Sequence, residues 1–117
     1  MPPSTLRIYH NPRCSKSRAA YALLQDRGLA PEVVLYLETP PSKAELRALL
    51  KKLQLQPLDI VRKGEDVFKQ HYAGRNLSDD EWLEAIVAHP ILLERPIVVR
   101  GDKAVVGRPP ENVLELL

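Results

Sequence analysis

The sequence predicts an α/β fold built on a small mixed sheet, and three observations carry that prediction. Leu6-Arg7-Ile8-Tyr9 has strand character, a helix opens near Ser15, and Glu32 to Leu37 is β-rich, so the three together make a βαβ unit. Ile97-Val98-Val99-Arg100 and Lys103-Ala104-Val105-Val106 flank Gly101-Asp102, the signature of a two-residue hairpin turn with Gly first. Between these β-rich halves, apolar residues recur at helical spacing. The expected order is βαβ, a helical insertion at about 42–89, then ββα. All of it is expected in a single domain spanning 1–117, since 117 residues suffice for one core and fall short of two.

Each element has a local reason. The first helix places Ala19, Ala20, Leu23 and Leu24 on one face, and Gly28 is a natural C-terminal stop. Val33-Val34-Leu35-Tyr36 is nearly unbroken in its apolar character, as in a parallel strand buried on both faces. Thr39-Pro40-Pro41 interrupts the chain, and Ser42-Lys43-Ala44-Glu45 reads as a capping box. The helix it opens aligns Leu46, Leu49, Leu50 and Leu53. Pro57 starts a further short helix that Gly64 ends, and Glu65 to Tyr72 forms another. Ser78-Asp79-Asp80-Glu81 is a second capping box for a helix running to about Ala88, before Pro90. Pro109-Pro110 introduces a closing helix, Glu111 to Leu117.

Composition removes several classes of function. A net charge of +2 lacks the strongly basic face of a general nucleic-acid binder. No run approaches the roughly 18 apolar residues of a membrane span. The opening Met-Pro-Pro-Ser-Thr has no apolar core of the secretory type. The single cysteine excludes an internal disulfide and has no metal-ligand spacing around it. A cytoplasmic, reducing location without a bound metal is expected.

That cysteine, Cys14, falls where the first strand gives way to the first helix. A thiol there lies among N–H groups that have no partner within the helix, and the helix dipole adds about half a positive charge. Both favour the thiolate, which is the reacting form. From Met1 to Gln25 there is no acidic side chain, while Arg7, Arg13, Lys16 and Arg18 are basic. Cations in a first helical turn oppose the dipole, so Lys16 and Arg18 suit an anion-holding site better than a merely stable helix. The competing reading is a buried structural cysteine whose basic neighbours point into solvent.

The hairpin adds a second constraint. A turn at 101 and 102 sets Ile97 opposite Val106, Arg100 opposite Lys103, and Arg95 opposite Arg108. Like charges facing across a strand pair are destabilising, and each of Arg95 and Arg108 precedes a proline that restricts its backbone. Two held guanidiniums match a tetrahedral oxyanion. Alternatively, both splay into water at the hairpin base. If the hairpin runs antiparallel to the first strand, the clamp lies at the Cys14 end of the sheet.

Three stretches carry a family resemblance: His10-Asn11-Pro12-Arg13-Cys14-Ser15-Lys16-Ser17-Arg18, Tyr36-Leu37-Glu38-Thr39-Pro40, and Glu94-Arg95-Pro96-Ile97-Val98-Val99 through Gly107-Arg108-Pro109. In this order, over almost the whole chain, they resemble the glutathione- and glutaredoxin-dependent arsenate reductases. The resemblance implies a thioredoxin-like fold with an inserted helical segment, Cys14 as nucleophile, and Arg62, Arg95 and Arg108 around the oxyanion. It also implies a cis bond at Pro96. Glutathione would be a co-substrate and glutaredoxin a partner, with no bound cofactor, because Cys14 has no second thiol in the chain. Ser15 and Lys16 depart from the glycine and threonine common in that family, which bears on substrate preference. His10 is open to two roles, lowering the thiol pKa as a cation or hydrogen-bonding the loop. Asn11 and Ser17 are expected to shape the loop or donate to the thiolate, and His71 and His89 to be structural.

Two other readings compete. A redox regulator binding RNA polymerase would carry Cys-x-x-Cys, where this chain has Ser17. A glutathione-linked thiol-disulfide transferase would use the same cysteine without arsenate. A cysteine-dependent phosphatase needs Cys-x5-Arg, and residue 20 is Ala.

Overall fold

The computed structural model describes residues 6–117, so the N-terminal Met1–Thr5 reading lies outside the described residues. The described residues form two compact units, one made of residues 6–39 with 95–117, the other of residues 40–94.

The first unit is a four-stranded sheet with α1 (Ser15–Asp26) and a closing 3-10 helix (Pro110–Leu116). Its strands are β1 (Leu6–His10), β2 (Glu32–Leu35), β3 (Ile97–Arg100) and β4 (Lys103–Val106), in the order β2-β1-β3-β4. β1 runs parallel to β2 and antiparallel to β3, and β3 is antiparallel to β4. This is the thioredoxin-like arrangement. Hairpin register is as expected, with Ile97 opposite Val106 and Arg100 opposite Lys103, and the Gly107 N–H donates to the Pro96 carbonyl beyond it. Gly101 has φ of 62° while Asp102 does not have a positive φ, which makes the turn type II′ with its glycine first.

Three expectations change. β2 is an edge strand rather than a buried central one, and Val33 remains 39% exposed. The apolar run reflects one sheet face and the buried Tyr36 just beyond the strand. In α1 the inward positions are Ser17, Ala20 and Leu24, with Ala19 exposed. Spacing of three and four residues is kept, but a serine takes the first inward place. The closing segment is 3-10 rather than α.

α1 ends as its glycine predicts. The Gly28 N–H donates to the Gln25 carbonyl and the Leu29 N–H to that of Leu24, with Gly28 at φ 76°. These are the two bonds of a Schellman motif, and Leu29 packs onto the same core as Leu24. That core is Leu6, Ile8, Ala20, Leu24, Val98 and Val113.

The second unit contains α2 (Lys43–Leu53), α3 (Asp66–His71), α4 (Asp79–Ala88) and 3-10 turns at Pro57–Ile60 and Pro90–Leu92. Ser42 caps α2 by accepting the Glu45 N–H, and Ser78 with Glu81 forms a complete capping box on α4. Leu46, Leu49, Ile60, Trp82, Leu83, Ile86, Leu92 and Leu93 are buried. Phe68 stacks on Trp82 and His71 on His89, which gives both histidines a place in an aromatic cluster. No helix among the described residues is long and apolar enough to cross a membrane.

One contact in the first unit is set by the absence of a side chain. A Cβ on Gly107 would lie 2.8 Å from Pro96 Cγ and 3.1 Å from Val113 Cγ1. The proline ring has little freedom to retreat, so Gly107→Ala is expected to cost about 1–3 kcal/mol through overpacking. Urea unfolding checks this, as a lowered midpoint at unchanged slope.

Candidate active site

The antiparallel pairing of Tyr9 with Ile97 brings the residues preceding β3 to the end of β1, where the cysteine loop begins. The buried polar or charged residues among those described are His10, Asn11, Ser17 and Arg95. Burial of such groups is costly unless each is bonded, so their concentration around one cysteine marks a built site.

Cys14 is the N-cap residue of α1, with extended backbone at φ −95° and ψ 123°. Its N–H donates to the Asn11 carbonyl, and its own carbonyl accepts the Arg18 N–H. The side chain at an N-cap faces the N–H groups two and three residues on, where serine or aspartate would normally place an oxygen. Here a sulfur stands at the cap: it closes no cap hydrogen bond, and the nearby N–H groups act on its ionised form. Burial pushes the Cys14 thiol up, but hydrogen bonding from the Ser17 N–H, the Arg95 guanidinium and the Lys16 N–H outweighs it. With the Arg95 charge added, the pKa lies below the ordinary cysteine value. Cys14 is half-buried, so an attacking thiolate remains reachable.

Ser17 organises the loop. Its Oγ accepts the Asn11 N–H at 3.0 Å and lies 2.6 Å from His10 Nδ1, while Asn11 Oδ1 accepts the Arg13 N–H at 3.0 Å. Of the two roles open to His10, the structure supplies the loop hydrogen bond. Burial and the neighbouring Arg18 charge hold its pKa below the ordinary histidine value, so the ring is neutral at pH 7. Arg18 also donates Nη1 to the Pro12 carbonyl at 2.8 Å. Its place near the helix start therefore has a loop-bracing reason in addition to its charge.

Arg108 donates Nε to the Arg95 carbonyl at 2.9 Å, so the two arginines are tied together at the hairpin base. Both following peptide bonds, Arg95–Pro96 and Arg108–Pro109, are cis. The first was expected and the second was not. Asn112 was also missed: its Nδ2 donates to the Arg108 carbonyl at 3.1 Å and fixes the backbone from which that arginine projects. Its only sequence signal is its position just after the Pro109-Pro110 pair.

Arg62 belongs to the second unit. Its Nε donates to Glu65 and its Nη1 to Glu94, each at 3.1 Å, and its N–H donates to the Leu92 carbonyl. No group of three or more His, Cys, Asp or Glu able to hold a metal is found among the described residues.

The position of Arg95 has a measurable consequence. Because its guanidinium favours the thiolate, Arg95→Ala should move the pH profile of Cys14 alkylation by iodoacetamide to higher pH. In the unaltered protein the rate should already level off below the pH needed for free cysteine. Coincident profiles would show that Arg95 does not act on the sulfur.

The ArsC family pattern matches residues 9–116. The uncharacterized protein YfgD of Escherichia coli is 51% identical over 114 residues, covering 96% of each chain. An arsenate reductase of Neisseria meningitidis serogroup A is 50% identical over 114 residues, covering 96% of this chain and 97% of that protein. The solved structure of an arsenate reductase from Vibrio cholerae matches with a TM-score of 0.94 at 47% identity, covering 99% of this chain and 100% of that chain. A cysteine capping a helix beside paired arginines, on a sheet of this order and within a sequence matched from residue 9 to residue 116, places the chain in the ArsC family.

Proposed function

We propose that this chain reduces arsenate to arsenite, with Cys14 as nucleophile and electrons drawn from glutathione through glutaredoxin. The observation that carries the reading is Cys14 at the N-cap of α1, its pKa lowered by the Ser17 and Lys16 N–H groups and by the Arg95 guanidinium. Relatives named arsenate reductases at about half identity over nearly the whole chain support it.

Cys14 thiolate attacks arsenic, a sulfur–arsenic bond forms, and one oxygen leaves as hydroxide and is protonated to water. Arg95 and Arg108 hold the remaining oxygens and stabilise the charge that builds on them. A first external thiol then bonds arsenic and displaces a second oxygen as water. A second external thiol attacks the sulfur of the first, forming a disulfide and leaving the electron pair on arsenic, which becomes arsenic(III). Water then breaks the Cys14 sulfur–arsenic bond, releasing arsenite and the thiol. The net change is arsenate plus two thiols giving arsenite, a disulfide and water. Among the residues of this chain no second cysteine exists to supply either electron, so both thiols come from outside. Glutathione fits as the first and glutaredoxin as the thiol that regenerates the system. Asn11 and Ser17 keep the loop in shape, and neutral His10 serves that loop through Ser17. Arg62, paired with Glu65 and Glu94, is kept as a third arginine for the oxyanion, as the resemblance implies.

Cys14→Ser should abolish arsenate turnover while leaving the far-UV circular dichroism unchanged. Arg108→Ala should lower kcat/KM by about 100- to 1,000-fold, the usual loss for one oxyanion donor. The assay is arsenate-dependent NADPH oxidation coupled through glutathione and glutaredoxin, run beside a thioredoxin-coupled one. Turnover by Cys14→Ser, or turnover with thioredoxin alone, would overturn the reading.

A further inference from the structure

The mechanism leaves open where the external thiol sits before it reacts, and one cleft in the first unit addresses this. It is lined by the loop His10 to Arg13, which leads directly into Cys14, and by Leu35, Leu37 and Glu38 beyond β2. Its volume is about 410 Å³, within the range of small-molecule sites and too small for a folded partner. It lies outside the carboxyl ends of the parallel strands β1 and β2, the place where α/β sheets bind ligands.

The chemistry of the walls restricts the occupant. Arg13 and Glu38 place one positive and one negative side chain on the same cleft, and among the described residues neither is in an ion pair. Pro12, Leu35 and Leu37 supply apolar surface between the polar groups. An inorganic oxyanion would gain from Arg13 and be repelled by Glu38. A molecule with an ammonium and a carboxylate on one carbon satisfies both.

We propose that this cleft binds the α-amino-acid end of a small peptide thiol, with its carboxylate on Arg13 and its ammonium on Glu38, while the thiol reaches toward Cys14. The inference rests on the proposed use of an external thiol, and it names glutathione by its free γ-glutamyl zwitterion. It makes Arg13 and Glu38 specificity determinants that neither touch the oxyanion nor alter the sulfur.

The test does not require arsenate. Cys14 thiolate attacks one sulfur of glutathione disulfide, forming a mixed disulfide and releasing the other half as glutathione thiolate. The rate is compared with that for hydroxyethyl disulfide, which has the same reacting bond and no charges. Arg13→Gln and Glu38→Lys should each slow exchange with glutathione disulfide by about tenfold, the loss of one charge-assisted bond, and leave hydroxyethyl disulfide unaffected. Both side chains are exposed, so folding is preserved. The pair separates recognition from steering: added positive charge alone would make Glu38→Lys react faster with the anionic disulfide. A faster or unchanged rate for Glu38→Lys, or equal slowing with both disulfides, overturns the proposal. Failure of the arsenate reading shows up separately, as absence of arsenate turnover in the unaltered protein.

Discussion

The constraint on which the first unit depends is the concentration of positive groups at the start of α1. Helix N–H groups converge on one sulfur, Arg95 is buried beside it, and no carboxylate occurs in the chain before Asp26. A buried guanidinium is tolerable only if something negative sits near it. The ionised thiol is one such group, and a bound oxyanion would be another. Reactivity and anion affinity are therefore two outcomes of one charge arrangement. Strengthening the potential favours both at the expense of the empty protein.

The supporting structure holds that arrangement with few moving parts. Ser17 faces inward on α1 and bonds both Asn11 and His10, so one hydroxyl links helix, loop and the end of β1. Gly107 lets Pro96 and Val113 approach across the base of the hairpin, and the Arg95 carbonyl receives Arg108. Each is a short-range contact between different segments of the chain. The arginines are thus positioned by backbone as much as by their own side chains.

That distribution explains what could be read from the chain. The βαβ unit, the type II′ hairpin and its register follow from local chemistry: strand propensity, a glycine able to take positive φ, and a fixed turn length. The importance of Cys14 was legible because the surrounding charges run against helix stability. β2 was misjudged because Val33-Val34-Leu35-Tyr36 shows how apolar a strand is and not whether another strand lies beyond it. Ser17 on the buried face of α1 broke a purely apolar pattern, since its burial depends on Asn11 and His10 bonding to it. Asn112 and the second cis bond act on backbone atoms and carry no compositional mark. Arg62 was expected at the oxyanion from resemblance alone; its partner Glu65 lies three residues on, while its partner Glu94 becomes apparent only when chain segments 32 residues apart come together.

The edge position of β2 has a consequence for how the protein behaves in a crowded solution. An open strand edge invites a neighbouring chain to extend the sheet, a route to fibrous self-association. β2 has four residues, with Pro31 before it and Pro40 and Pro41 shortly after, and it opens on Glu32 in an ion pair with Arg7. Proline cannot donate to an added ladder, and a charged pair at the rim is costly to cover. At this edge of the sheet the strand is thus too short, and too firmly bracketed, to template intermolecular growth.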